Sequence, residues 1–135
     1  MGGVVLNLLI LDDEPLFVEQ MEMIISTNFP DWHIVKAYTG SETLQVAKDL
    51  TIHLALIDIK LAGKNGLQIA EVLRQDNPKM DVIIISAFQE FEYARHSLKL
   101  KAVDYLVKPV LESELLNLLH TYIFENPQFN TKSNA

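Results

Sequence analysis

The residues most capable of chemistry in this sequence are the carboxylates of Asp12, Asp13 and Asp58, the hydroxyl of Ser86 and the ammonium of Lys108. Gathered carboxylates repel: at about 4 Å and an effective dielectric near 20, each pair costs on the order of 4 kcal/mol before relaxation. A chain that collects three of them does so for a ligand and not for stability. A hard divalent cation offsets the repulsion, and oxygen ligands with positions left for water suit Mg2+, or Mn2+. A cation beside a carboxylate and a lysine neutralises the oxygens of a transferring phosphoryl group. A carboxylate can itself accept that group as an acyl phosphate. The residue types therefore point to Mg2+-assisted phosphoryl transfer onto one aspartate.

These residues act together only if the chain brings them together, and its hydropathy pattern says how. Val4–Leu11 is a short apolar run, rich in branched residues, and reads as a buried strand. Pro15 suits the first turn of a helix, in which Phe17, Met21, Ile24 and Ile25 share a face before Asn28, Pro30 and Asp31 end it. Trp32–Tyr38 reads as a second strand. Thr39 and Glu42 have capping-box spacing, so a helix runs from there to Leu50. His53–Ile57 is a third strand, stopped at Asp58, and Gly63, Asn65 and Gly66 make a loop before a helix over Leu67–Gln75. Asp81–Ser86 is the clearest buried strand, followed by a helix over Glu90–Leu100 and a strand over Val103–Val107. A last helix, Leu111–Phe124, carries an apolar stripe of Leu115, Leu118, Leu119 and Tyr122.

Five strands alternating with five helices imply an α/β fold with a parallel sheet covered on both faces, because parallel strands need crossovers and crossovers are right-handed. In such sheets ligands bind outside the carboxyl ends of the strands. The first strand delivers Asp12 and Asp13 there, the third Asp58, the fourth Ser86 and the fifth Lys108. Beyond Glu125 the sequence NPQFNTKSNA has no periodicity and reads as a tail or the start of a linker, leaving residues 1–124 as the folded domain.

Composition narrows the function. The 135 residues are 49% hydrophobic and 21% charged, an ordinary globular balance with enough chain for a core. Cysteine is absent, which excludes disulfides, a thiol nucleophile and thiolate metal sites. The net charge of −7 argues against direct binding to nucleic acid or to an anionic membrane. No apolar run approaches the ~18 residues of a membrane span. Val4–Leu11 contains Asn7 and is not preceded by Lys or Arg, so it is not a signal peptide, and Met1-Gly2 lacks the Ser or Thr at position 6 of a myristoylation signal. These features lead us to expect a cytoplasmic protein. His33, His53, His96 and His120 lie on different elements and form no ligand pair.

Asp12-Asp13-Glu14, Asp58 closing LALID, Ser86 closing VIIIS and Lys108-Pro109 within DYLVKP, in this order over residues 6–124, resemble the receiver domain of bacterial two-component response regulators. The resemblance implies a flavodoxin-like (βα)5 three-layer sandwich with strand order 2-1-3-4-5. It also implies a signalling switch that takes a phosphoryl group from a sensor histidine kinase. Residue by residue, it implies Asp58 as phosphoacceptor and Asp13, Asp12 and the Lys60 backbone carbonyl as Mg2+ ligands beside Asp58. Lys108 would pair with the phosphoryl group, Ser86 would swing toward it, and Tyr105 would turn inward as the switch aromatic. Lys108-Pro109 would be a cis peptide.

The implied output surface is Glu90–Leu100, Val103–Val107 and Leu111–Phe124, a face for an output module or a homodimer. In the first of these segments Phe91, Ala94 and Leu98 look core-facing, and Glu92, His96 and Lys99 form a polar stripe opposite, with Tyr93 beside it. FQEFEYARHSLKLKAVDYLVKP further resembles receivers attached to AraC-type DNA-binding outputs. The sequence departs from the family pattern at Ala62, where proline is usual, which predicts a looser 60–65 loop. Ser86 replaces the commoner threonine, and Lys60 places a cation where it should alter dephosphorylation. The alternatives are a pseudo-receiver without the chemistry, a haloacid-dehalogenase-like phosphatase and a flavodoxin. The phosphatase wants a second aspartate where Lys60 stands, and the flavodoxin's phosphate would be repelled by Asp12-Asp13-Glu14.

Overall fold

The computed structural model describes residues 4–62, 64–87 and 101–129. Five parallel strands, β1 (Asn7–Leu11), β2 (His33–Ala37), β3 (Leu54–Asp58), β4 (Asp81–Ala87) and β5 (Asp104–Lys108), form one sheet in the order β2-β1-β3-β4-β5. The strand order and the parallel pairing are those expected from the sequence. The reason lies in hydropathy. β3 is buried at every position and β1 and β4 nearly so, as strands covered on both faces must be, while β2 and β5 expose residues as edges.

Alternate strand residues feed two cores. Leu9, Leu11, Ala55, Ile57, Val82 and Ile84 face helices α2 (Gly40–Asp49) and α3 (Gly66–Asp76). Leu8, Ile10, Leu54, Leu56, Ile83 and Ile85 face α1 (Pro15–Asn28) and the C-terminal helix (Glu112–Glu125). The Thr39 half of the α2 cap forms as its spacing predicts, while the Glu42 carboxylate reaches one residue beyond the cap, to Tyr38. The Glu42 N–H donates to Thr39 Oγ1 at 3.0 Å, and Glu42 Oε1 accepts from the Tyr38 N–H at 2.7 Å.

Several details differ from expectation. β1 starts at Asn7, and Val4 and Val5 are half-exposed, because the flanking strands begin opposite Asn7 and Leu8 and the Val4 N–H pairs with Gln128 O instead. The 60–65 stretch is not a plain loop: Lys60–Leu61 and Lys64–Asn65 pair as a short antiparallel hairpin. Gly66 belongs to α3, whose cap is Asn65, accepting from the Leu67 N–H at 2.8 Å. Beyond Glu125 a 3-10 turn, Pro127–Phe129, folds back and buries Phe129 against His53 and Tyr122 at the amino-terminal edge of the sheet. Expectations for Met1-Gly2, Gly63, the helix Glu90–Leu100 with its two faces, and residues 130–135 fall outside the described residues.

Candidate functional site

The carboxyl edge of the sheet gathers the residues singled out from the sequence. Asp12 and Asp13 follow β1, Asp58 closes β3, and Lys108 closes β5. The hydrogen-bonded register sets Ile85 opposite Asp58 and Lys108 opposite Ala87, so Ser86 shares that edge and is buried there. Asp12, Asp13 and Asp58 each offer an oxygen, all within 4.8 Å of one another. Asp12 is fully buried and Asp58 is 6% exposed.

Backbone amides fix each carboxylate. Asp12 Oδ1 accepts from the Glu14 N–H at 2.9 Å, Asp58 Oδ1 from the Lys60 N–H at 3.1 Å, and Asp13 Oδ2 from the Ala62 N–H at 2.9 Å. The last bond ties the hairpin to β1. The Asp58 backbone is fixed by the approach of α3. The Gly66 N–H donates to Ile59 O at 2.6 Å, and a Cβ on Gly66 would lie 1.9 Å from the Asp58 carbonyl oxygen. Only glycine fits there.

Lys108 is the counter-charge. Its Nζ lies 2.7 Å from Asp12 Oδ2, 2.7 Å from Glu14 Oε1 and 3.3 Å from Asp58 Oδ2, and 4.4 Å from the centre of the Phe17 ring. Burial pulls its pKa down, but its close pairing with Asp12 and Glu14 and the charges of Asp12 and Asp58 outweigh that and hold it above the usual lysine range. Burial, with the neighbouring charge of Asp12, pushes the Asp58 carboxyl up to about 6 against the pull of Lys108. The Lys108-Pro109 peptide is cis. Tyr105 is 37% exposed on the edge strand β5.

The donor set fits a hard divalent cation. Three carboxylate oxygens converge, and Asp12 Oδ2, though buried, makes its ion pair with Lys108 and no hydrogen bond. The Lys108 ammonium, shared with Glu14, does not by itself balance the three charges.

The profile of the response regulator receiver domain matches residues 8–120. The chain belongs to that family. The receiver is 33% identical over 131 residues to the transcriptional regulatory protein MalR of Bacillus subtilis, spanning 96% of this chain and 55% of that protein. Among solved structures it resembles the REC domain of AraT, a response regulator from Geobacillus stearothermophilus, with a TM-score of 0.84 and 27% identity over 93% of this chain and 98% of that one. It also resembles a CheY-like receiver domain protein from Methanospirillum hungatei, with a TM-score of 0.82 and 26% identity over the same shares. The receiver spans about half the length, or less, of curated relatives it matches. Receiver domains act in phosphorylation-dependent signalling between a sensor kinase and an output module, and they generally bind Mg2+. No helix among the described residues is long and apolar enough to cross a membrane.

Sequence reasoning placed Glu14 in the acidic motif, Phe17 on the apolar face of α1 and Gly66 in a loop, but gave none of them, nor the Ala62 amide, a contact at this site. Gly66 had a readable signal, a glycine where a strand turns into a helix. Glu14 stood in the acidic motif, but nothing local in the sequence says that its side chain turns back from the α1 cap to Lys108.

Proposed function

We propose that this receiver accepts a phosphoryl group on Asp58 from a sensor histidine kinase, with Mg2+ or Mn2+, and changes its output surface in response. One observation carries the reading: Lys108 Nζ sits 2.7 Å from Asp12 and 3.3 Å from Asp58 where three carboxylates converge. A cation held by Asp12, Asp13 and Asp58, with the Lys60 carbonyl as a further ligand, would neutralise charge on the phosphoryl oxygens.

The protein's own groups do the rest. An Asp58 carboxylate oxygen attacks phosphorus. The P–N bond of the phosphohistidine breaks, imidazole leaves with the electron pair and takes up a proton, and an acyl phosphate remains. Lys108 follows the new negative charge and donates to a phosphoryl oxygen. Ser86, at the adjacent strand end, turns its hydroxyl to another. Tyr105 then turns inward from its half-exposed position, and the surface of β5 and the C-terminal helix changes its affinity for an output module or a second receiver. The output regulates transcription through a domain or partner protein, and the resemblance of FQEFEYARHSLKLKAVDYLVKP to receivers attached to AraC-type outputs supports a DNA-binding module of that type. The receiver itself, at net charge −7, does not bind DNA, and the whole works in the cytoplasm.

The test is incubation with acetyl phosphate and Mg2+, followed by intact mass, with Asp58→Ala as control. Gain of one phosphoryl group in the wild type alone, abolished by a chelator, is the expected result. Gain in both proteins would move the acceptor elsewhere, and gain in neither would favour a pseudo-receiver.

A further inference from the structure

We propose that Glu14 tethers Lys108: it is a positioning residue that draws the lysine ammonium toward itself and Asp12, leaves it only a long hydrogen bond of 3.3 Å to Asp58, and slows phosphoryl uptake. The inference rests on Asp58 being the acceptor.

The geometry is specific. Glu14 is the cap residue of α1, in extended conformation, yet its carboxylate makes no cap hydrogen bond. It reaches Lys108 Nζ at 2.7 Å instead. Its own N–H is fixed to Asp12 Oδ1, so the backbone that carries the carboxylate is anchored to the acidic cluster. The ammonium is thus seated among Glu14, Asp12 and the Phe17 ring, and Asp58 is the most distant of its three carboxylates.

The three contacts differ in what they serve. Asp12 and Asp58 belong to the converging carboxylate cluster, but Glu14 does not. To follow charge onto a phosphorylated Asp58, Lys108 must exchange the Glu14 contact for a phosphoryl oxygen. Glu14 therefore stabilises the resting arrangement without stabilising the phosphorylated one. Its side chain is 64% exposed, so water screens the pair and the restraint is modest.

The experiment measures the rate of phosphoryl uptake from acetyl phosphate by intact mass, resolved into a saturating rate and a half-saturating concentration. It uses wild type, Glu14→Gln, Glu14→Asp and the silent control Asp58→Ala. Glu14→Asp keeps the charge but is one methylene too short to hold Lys108. Calorimetric titration with Mg2+ alone runs in parallel. A tether predicts that Gln and Asp both raise the saturating rate about two- to fivefold, the range an exposed ion pair can hold back. The two variants would differ from each other in Mg2+ affinity, which follows charge.

Acceleration by Gln with Asp at the wild-type rate would assign the effect to charge alone and overturn the tether. Unchanged rates in both variants would do the same while leaving Asp58 as acceptor. A wild type that gains no phosphoryl group at all would remove the acceptor reading and the tether with it.

Discussion

Asp58 carries a cost that its neighbours only partly relieve. Buried beside Asp12, it is compensated by the Lys60 N–H and by an ammonium that it shares with Asp12 and Glu14. Replacing it with asparagine keeps the shape and removes the charge, so Asp58→Asn should melt higher than wild type in metal-free buffer at pH 7.5. A lower melt for the variant would mean that Lys108 already overcompensates the cluster. His53 is a second residue whose protonation matters. Burial lowers its pKa, and its Nδ1 accepts the Asn7 N–H at 2.9 Å, a bond that needs that nitrogen unprotonated. The unfolded chain therefore binds the proton more tightly than the fold does. His53's contribution to stability is intact above the unfolded value near 6.5 and is lost as pH falls below it toward the lower folded value. Melting temperatures from pH 7.5 to 5.5 should fall more steeply for wild type than for His53→Gln, whose amide does not titrate. Parallel curves would show that other groups govern the acid limb.

The junction between β3 and α3 fixes the backbone of Asp58, and it tolerates little change. Ala at position 66 would drive its Cβ into the Asp58 carbonyl oxygen, which is backbone and cannot turn aside. Gly66→Ala should cost about 1–3 kcal/mol or more of unfolding free energy in urea, the range of an overpacked site. It should also slow phosphoryl uptake, because α3 must back away from β3. A neutral result in both measurements would show that the helix has room the geometry denies.

The same junction marks what sequence could and could not reveal. The strands were legible because VIII and LALI are apolar throughout, and a strand covered on both faces leaves no other reading. The site was legible for the same reason: strand ends locate Asp58, Ser86 and Lys108 once the strands are known. The 60–65 hairpin was not legible. It depends on the Asp13–Ala62 bond and the Gly66 approach, contacts between distant elements that leave no local periodicity. Phe129 was missed because a single apolar residue in a polar stretch carries no pattern.

For the molecule as a whole, cation binding should register as global stability, since a ligand held only by the folded state shifts the unfolding equilibrium. Mg2+ at 10 to 100 times its dissociation constant should add roughly 1–3 kcal/mol to wild type and markedly less to Asp58→Asn. Identical responses in urea titrations would show that the cluster is not the cation site. The fold-back of Phe129 has a further consequence, which is topological. The Val4 N–H donates to Gln128 O at 2.7 Å, so the described backbone starts and stops side by side, and the path through the five strands is almost a closed ring. Such a ring can be cut elsewhere. Residues 4 and 129 joined by a short glycine-serine bridge, with new ends opened between the exposed Pro78 and Lys79, should give a circular permutant. It should keep the native circular dichroism spectrum and phosphoryl uptake, while moving the point of attachment for a fused module from the Phe129 fold-back to the turn before β4.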